Sequence, residues 1–105
     1  MEYLNDSNFD NFIKENNNVI VDFFADWCGP CKMLSPIIEE LSEIYKDKDV
    51  KIVKVNVDEA SAVSQKFDIM SIPTIIFFQD GKIKDTIIGL VTKETFENKI
   101  KDLIQ

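Results

Sequence analysis

The chain has 105 residues, a formal net charge of −7 and 45% hydrophobic residues. We expect residues 1–105 to form a single domain, since a chain of this length and composition can bury a core of its own. Its cations are all lysines, and the negative net charge should repel nucleic acids and anionic lipids. The absence of histidine excludes Ser-His and Cys-His nucleophiles and leaves too few ligands for a typical zinc site.

No segment of the sequence predicts export or membrane insertion. Residues 1–6 are acidic and polar, without the basic and apolar regions of a secretory signal. The longest apolar runs are far shorter than the ~20 residues that span a bilayer. We therefore expect a cytoplasmic, monomeric protein that binds no membrane. Because cytosolic thiols are kept reduced, catalysis or metal binding explains the two cysteines better than a structural disulfide does.

The first half of the chain predicts two pairs of a strand and a helix. Residues 1–4 indicate a short edge strand. Residues 7–15 have apolar side chains at helical spacing, and Ser7 with an acid three residues later resembles a capping box. Residues 19–25 are β-branched and aromatic without alternation, which is typical of a strand buried on both faces. Residues 34–45 then repeat apolar side chains with a helical period.

The second half continues the alternation and ends in a hairpin and a helix. Strands are predicted at residues 50–57, 73–78 and 82–88, and helices begin after the predicted caps Asp58 and Thr92. The dipeptide Asp80-Gly81 between the last two strands is a typical hairpin turn. The order β-α-β-α-β-α-β-β-α predicts an α/β fold, with a mixed central sheet of about five strands flanked by about four helices.

Both cysteines lie in the motif Trp27-Cys28-Gly29-Pro30-Cys31, between the buried strand and the long helix. Residues three apart on a helix have Cβ atoms ~5–6 Å apart, so Cys28 and Cys31 can form a disulfide after a small adjustment. Free N–H groups and the helix dipole favour a thiolate on Cys28 at the helix start. Pro30 suits the first turn, where its missing N–H costs little. Cys31 is expected to be less exposed, which predicts one reactive and one resolving thiol.

A structural disulfide and a metal site are weaker interpretations of the two cysteines. A structural disulfide across so short a loop would remove only about 2 kcal/mol of unfolded-state entropy, and the cytosol would reduce it. A tetrahedral zinc site needs four ligands, whereas this chain offers two thiols and no imidazole. Such a site would have to be shared across a dimer interface, so we expect no metal.

The tract Val21–Met33 and several downstream residues resemble the thioredoxin family. The tract has the sequence VDFFADWCGPCKM, and Pro36, Ile72-Pro73-Thr74, Asp80-Gly81 and Gly89 follow at the family's spacing. A lone Cys-x-x-Cys is a moderate signal, but the Trp-to-Cys motif with the later Ile-Pro-Thr is specific. The match covers nearly the whole chain, and the resemblance implies a thioredoxin fold.

The resemblance also implies a function. Members of this family reduce protein disulfides by dithiol–disulfide exchange through a mixed disulfide. They bind no cofactor themselves and are reduced by thioredoxin reductase, a flavoenzyme that uses NADPH. We therefore expect a general thiol-disulfide oxidoreductase acting on oxidised cytosolic proteins. The resemblance makes Cys28 the nucleophile and Cys31 the resolving thiol, with Gly29 and Pro30 tuning the redox behaviour of the pair.

Asp22 is the least expected residue of the buried strand. A carboxylate in apolar surroundings is costly and has a raised pKa, although a partly solvated position at a strand edge also fits the pattern. In the thioredoxin family the matching acid lies buried behind the dithiol and handles the proton of the second cysteine. The resemblance implies this role for Asp22 toward Cys31. Lys54 matches a family lysine that modulates the acid, while its pattern alone also fits a solvated strand lysine.

The resemblance further predicts a docking surface around the dithiol. An X-Pro bond is usually trans, but the family has a cis bond at the position of Pro73, which would leave the Ile72 backbone free to pair with an extended substrate. Main-chain pairing carries little side-chain selectivity, which predicts a broad substrate range. Trp27 could instead pack in the core, but its place beside Cys28 favours docking. The docking surface is defined as Trp27, Gly29, Pro30, Ile72, Pro73 and Gly89.

Two further functions are compatible with the same fold. An oxidase or isomerase would usually carry histidine between the cysteines, where this chain has Gly29-Pro30. A non-catalytic binding module, acting as a partner subunit, would use the docking surface without exchange and would not need both cysteines. The sequence favours the reductase over both alternatives.

Overall fold

Helices and strands alternate along the chain in the order that the hydrophobic pattern predicts. The computed structural model describes all 105 residues. None of the four helices combines the length and the hydrophobicity that a membrane-spanning helix needs. The elements are β1 (Glu2–Leu4), α1 (Phe9–Glu15), β2 (Asn18–Phe24), α2 (Gly29–Ile44), β3 (Lys51–Asn56), α3 (Ser61–Lys66), β4 (Thr74–Gln79), β5 (Lys82–Ile88) and α4 (Lys93–Ile104).

The five strands form one mixed sheet in the order β1-β3-β2-β4-β5. Strands β1, β3 and β2 are parallel, while β4 is antiparallel to β2 and β5 is antiparallel to β4. The central strand β2 is buried along nearly its whole length, because helices cover both faces of the sheet. The predicted α/β fold, with a mixed five-stranded sheet and four helices, is confirmed.

Alternate strand residues build two apolar cores, one on each face of the sheet. The first core packs Phe9 of α1 and Val63 of α3 against Phe23 of β2. The second core packs Leu34 of α2 and Phe96 of α4 against the opposite face of β2. Because both β2 and α2 are anchored in the core, the short segment that joins them is held in place.

Helix α2 is the longest helix, and it begins at the cysteine motif. Cys28 is its N-cap and Pro30 lies in its first turn, as predicted. Pro36 lies inside the helix, where its ring removes one backbone hydrogen bond. The helix nevertheless continues to Ile44, because its apolar face remains packed on the sheet.

The β4–β5 hairpin has the turn that the sequence predicts. Gln79 pairs with Lys82, and the residues between them, Asp80 and Gly81, have φ angles of 51° and 81°. Two successive positive φ angles are typical of a type I′ turn, whose twist matches that of the flanking strands. Glycine enters this region without a steric penalty, which explains Gly81 at the second position.

The predicted capping box of α1 is wrong. The helix begins at Phe9, and its N-cap Asn8 makes no capping hydrogen bond through its side chain. The amides of Ser7 and Asn8 instead donate to the side-chain oxygen of Asn5, at 2.9 and 3.2 Å. An Asx-type turn at Asn5 therefore organises the entry to α1.

The predicted cap of α3 is also wrong. Amides of its first turn donate to the carboxylate of Asp6 rather than Asp58, and the shorter bond runs from Val63 to Asp6 at 2.9 Å. Asp6 is remote in the sequence, so a local motif does not indicate it. The predicted cap of α4 is confirmed, since the amide of Thr95 donates to Thr92 Oγ1 at 3.1 Å.

The Asp6 contact generates a stability prediction. Asp6→Ala should lower the free energy of unfolding by about 1 kcal/mol, the usual cost of losing a helix cap. For a domain of this size, Tm should fall by about 4–8 °C. Thermal unfolding followed by circular dichroism at pH 7 measures the change. Asp47→Ala is the control, because Asp47 is exposed; equal effects of the two substitutions would contradict the prediction.

Candidate active site

A disulfide joins Cys28 and Cys31, with 5.3 Å between their Cα atoms. The amide of Cys31 donates to Cys28 Sγ at 3.2 Å, so the sulfur lies at the free N–H groups of the start of α2. The expected difference in burial is wrong for this oxidised form, since both cysteines are 4% exposed. The bond holds both sulfurs in one small apolar cluster with Ala25. The structure contains no group of three or more His, Cys, Asp or Glu side chains arranged to hold a metal.

The loop before β4 lies directly against the disulfide. The Ile72-Pro73 peptide bond is cis, as the resemblance implied. The carbonyl oxygen of Ile72 lies 3.7 Å from Cys28 Sγ, and Pro73 itself is buried. The amide of Gly89 donates to the carbonyl oxygen of Pro73 at 2.8 Å. Gly89 has a φ of 91°, a conformation that favours glycine, so the turn after β5 can approach this loop.

The indole of Trp27 lies at the surface beside the disulfide. Its side chain is 70% exposed, which rules out the alternative of core packing. The indole Nε1 donates to Asp58 Oδ2 at 2.9 Å, and the Asp58 amide donates to Asn56 Oδ1 at the end of β3. Sequence patterns predicted a helix cap at Asp58 and missed this role. Its position in the sequence could have indicated this contact, because Asp58 comes just after β3, and β3 lies next to β2, the strand that leads to Trp27.

Five of the six residues of the docking surface are at least partly exposed, whereas Pro73 is buried. Gly29 and Pro30 are exposed in the first turn of α2, and Ile72 is partly exposed. Met70 was missed from the sequence, yet it is 92% exposed and lines a shallow groove with Trp27 and Ile72. The surface beside Cys28 is therefore largely apolar and offers free backbone groups at Ile72.

Asp22 is buried on β2, and the alternative of a solvated strand edge is wrong. The residue is 0% exposed, and neither carboxylate oxygen has a hydrogen-bond partner. Burial raises the pKa of the Asp22 carboxyl to about 6, and the positive charge of Lys54 lowers it in part. Near neutral pH this acid therefore changes its protonation state, while an exposed carboxyl would be fully ionised.

Lys54 lies next to Asp22 but does not pair with it. The two residues are opposite each other in the parallel register of β2 and β3, and Lys54 is buried. Its Nζ atom donates to Ser35 Oγ at 2.7 Å and lies 5.1 Å from the centre of the Phe24 ring. The four ion pairs of the structure include neither Asp22 nor Lys54. The alternative of a solvated strand lysine is therefore wrong.

Known proteins resemble this chain over nearly its whole length. The family model described as Thioredoxin matches residues 1–102. The thioredoxin of Mycoplasmoides gallisepticum is 46% identical over 101 residues, covering 96% of this chain and 95% of that protein. The oxidized mitochondrial thioredoxin 3 of Saccharomyces cerevisiae has a TM-score of 0.87 at 38% identity, covering 98% of this chain and 95% of that one. The thioredoxin of Plasmodium falciparum has a TM-score of 0.89 at 38% identity, covering 97% and 98%.

These matches agree with the chemistry of the site. The two cysteines are within bonding distance at a helix start, and a free backbone carbonyl lies beside the first of them. A pair of this kind passes electrons between reductases and oxidised proteins by breaking and forming disulfides. The chain therefore belongs to the thioredoxin family and is a thiol-disulfide oxidoreductase that reduces protein disulfides.

Proposed function

We propose that this protein is a general reductant of disulfides in cytoplasmic proteins, and that thioredoxin reductase returns it to the dithiol form. Electrons would reach it from NADPH through the flavin of that enzyme, so the chain itself needs no bound cofactor and works as a monomer. The observation that carries the proposal is the Cys28–Cys31 disulfide at the start of α2, beside the Ile72 carbonyl. The cytoplasm suits this activity because its thiols are kept reduced.

In the first step, the thiolate of reduced Cys28 attacks one sulfur of a substrate disulfide. A bond forms between Cys28 Sγ and that sulfur, the substrate S–S bond breaks, and the other substrate sulfur leaves as a thiolate. The start of α2 stabilises the attacking thiolate, because the Cys31 amide points at Cys28 Sγ and the helix dipole is positive there. Cys28 rather than Cys31 is therefore the nucleophile.

In the second step, Cys31 attacks Cys28 Sγ and releases the reduced substrate. The Cys28–Cys31 bond forms, the mixed disulfide breaks, and its electron pair leaves on the substrate sulfur. Cys31 must lose its thiol proton to become the attacking thiolate. We assign this proton to Asp22, whose buried carboxylate has no other hydrogen-bond partner. Lys54 would modulate how strongly Asp22 holds the proton, because the two residues are neighbours in the sheet.

Substrate recognition would use the docking surface. An extended segment of substrate can pair with the backbone of Ile72, as a strand adds to a sheet edge. Trp27 and Met70 supply apolar contact on one side of the disulfide, and Gly89 leaves the other side open because it has no side chain. Pairing through the main chain would permit a broad substrate range. Gly29 and Pro30 separate the cysteines by a rigid half-turn, and so tune the stability of the disulfide.

The alternatives of a binding subunit and of an oxidase or isomerase are not favoured. A binding subunit does not need the bonded cysteine pair that this site contains. Histidine, which the oxidases and isomerases of this fold usually carry between the cysteines, is absent from the chain.

Reduction of a protein disulfide in the presence of NADPH and a thioredoxin reductase tests the proposed function. The wild-type protein should support continuous NADPH consumption, and the Cys28→Ser/Cys31→Ser double variant should not. The rate of NADPH oxidation measures the electrons that enter the pathway, and the rate at which substrate thiols appear measures the electrons delivered to the substrate. The two rates should agree. Equal rates with the two proteins would refute the proposal.

The two cysteines should differ when they are replaced one at a time. Cys31→Ser can attack but cannot resolve, so it should accumulate covalent complexes with oxidised proteins. Cys28→Ser keeps only the resolving thiol and should trap at least tenfold less oxidised protein. A loss of ~1.4 kcal/mol in thiolate stabilisation is by itself a tenfold effect. Non-reducing gel electrophoresis after mixing each variant with an oxidised protein measures trapping. If Cys28→Ser traps as much as Cys31→Ser, the assignment of roles is wrong.

Asp22→Asn should stabilise the protein at neutral pH and slow its reaction. The pKa of Asp22 is near its ordinary value when unfolded and about 6 when folded, so wild-type stability is full below about pH 4 and is lost as pH rises through 6. The stability gained by Asp22→Asn should therefore grow by roughly 2 kcal/mol between pH 4 and pH 7. Urea unfolding at several pH values measures it.

The exposed Asp47→Asn is the control for this titration, and its stability should follow the wild type at every pH. Asp22→Asn should also slow the release of substrate from the mixed disulfide, because the acceptor for the Cys31 proton is lost. A lower Tm for Asp22→Asn than for wild type at pH 7 would contradict the burial of an ionisable carboxyl.

A further inference from the structure

Asp22 and Lys54 are placed where they could form an ion pair, yet the structure shows none between them. They are partners in the parallel register of β2 and β3, and their side chains lie on the same face of the sheet. Neighbouring strands are only ~4.8 Å apart, so the four-carbon stem of Lys54 is long enough to bring its ammonium to the carboxylate. An ion pair would be the expected arrangement, because a buried charge is costly unless it is paired.

The ammonium of Lys54 contacts other groups instead of the Asp22 carboxylate. It donates to Ser35 Oγ at 2.7 Å and lies over the ring of Phe24, at 5.1 Å from its centre. Both oxygens of Asp22 are left without a hydrogen-bond partner. The only side-chain oxygen that accepts a hydrogen bond from Lys54 is thus a neutral hydroxyl on α2.

Ser35 has a position from which it can affect the chemistry of the dithiol. It lies one turn after Cys31 on α2, so the two side chains are on the same side of the helix. A cavity of about 190 Å³ is lined by Cys31, Ser35, Lys54 and Phe24, together with Tyr3, Ala25, Asp26 and Lys32. The hydroxyl therefore anchors the ammonium at the wall of a cavity that also reaches the resolving cysteine.

We propose that Ser35 is a positioning residue for disulfide reduction, because its hydroxyl holds Lys54 away from Asp22 and so keeps the Asp22 carboxylate free to accept the proton of Cys31. Without this hydroxyl, the ammonium would turn to Asp22 and form the missing ion pair. The carboxylate would then be stabilised, and it would be a weaker proton acceptor near neutral pH. This inference rests on the proposed role of Asp22 in the second step of exchange.

Few other groups can set the titration of Asp22. Its partner on β4 is Ile75, and α2 places Leu34, Ser35 and Cys31 over this part of the sheet. Cys31 adds a titratable group only when it is reduced, and Asp26 and Lys32 add exposed charges to the lining of the shared cavity. Asp22 and Lys54 are the only buried charged residues of the chain, so the position of the Lys54 ammonium decides the local field.

The test is the titration of the Asp22 carboxyl in Ser35→Ala, followed by carbon NMR of oxidised protein. The midpoint should fall by about one pH unit or more, the usual effect of an opposite charge that moves into contact. In the same variant, the rate of substrate release from the mixed disulfide should reach its plateau at a correspondingly lower pH. Ser35→Thr retains the hydroxyl and should titrate like wild type.

Two controls separate positioning from a general change in packing. Ser42→Ala removes a hydroxyl two turns further along α2 and should leave the midpoint unchanged. In a Lys54→Gln background, Ser35→Ala should have no effect, because the charge it would release is gone. A midpoint that stays constant or rises in Ser35→Ala, or that falls equally in the Lys54→Gln background, would overturn the inference.

The same experiments distinguish this inference from the proposed function. If Asp22→Asn leaves substrate release unchanged, Asp22 does not handle the proton and that part of the proposed function fails. The midpoint shift in Ser35→Ala would still report whether Ser35 positions Lys54, since it measures Asp22 directly.

Discussion

The burial of the Asp22 carboxyl on the central strand is the constraint around which the site is organised. Strand β2 is covered on both faces, so a carboxylate placed there is shielded from bulk solvent and, in this fold, has no hydrogen-bond partner in the protein. That arrangement is unfavourable for stability and favourable for chemistry, because a desolvated acid titrates where the cell operates. The packing of α2 on β2 maintains the burial, and the same helix begins at Cys28. Stability and reactivity thus depend on one contact between a strand and a helix.

The strand directions explain why distant segments meet at the disulfide. Cys28 follows the end of β2. Because β4 runs antiparallel to β2, the start of β4 lies at the same end of the sheet. Because β5 is antiparallel to β4, its last residue Ile88 pairs with Thr74, the first residue of β4. The loops that carry Pro73 and Gly89 are therefore adjacent to each other and to Cys28. Topology alone assembles the docking surface, and side-chain contacts then refine it.

The sequence predicted the features that local patterns determine. Residues 19–25 lack alternation because the strand is buried on both faces, and Asp80-Gly81 supplies the positive φ angles that its turn requires. The cis bond at Pro73 came from the family resemblance alone, since an isolated X-Pro bond predicts trans. The wrong capping box of α1 was a local miss, whereas the hydrogen bonds missed at the site join polar side chains far apart in the sequence. Trp27 and Asp58 are 31 residues apart, and Lys54 and Ser35 are 19 apart, so periodicity and capping rules do not indicate them.

Infrared difference spectroscopy of the Asp22 carboxyl tests the central claim most directly. A protonated acid without a hydrogen-bond partner absorbs apart from the ionised carboxylates of the surface, and Asp22→Asn identifies its band by subtraction. Oxidised wild-type protein should show this band at pH 5, and the band should disappear with a midpoint near pH 6. A band that is absent at pH 5, with Asp22 titrating near ~4 like an exposed carboxyl, would contradict the account.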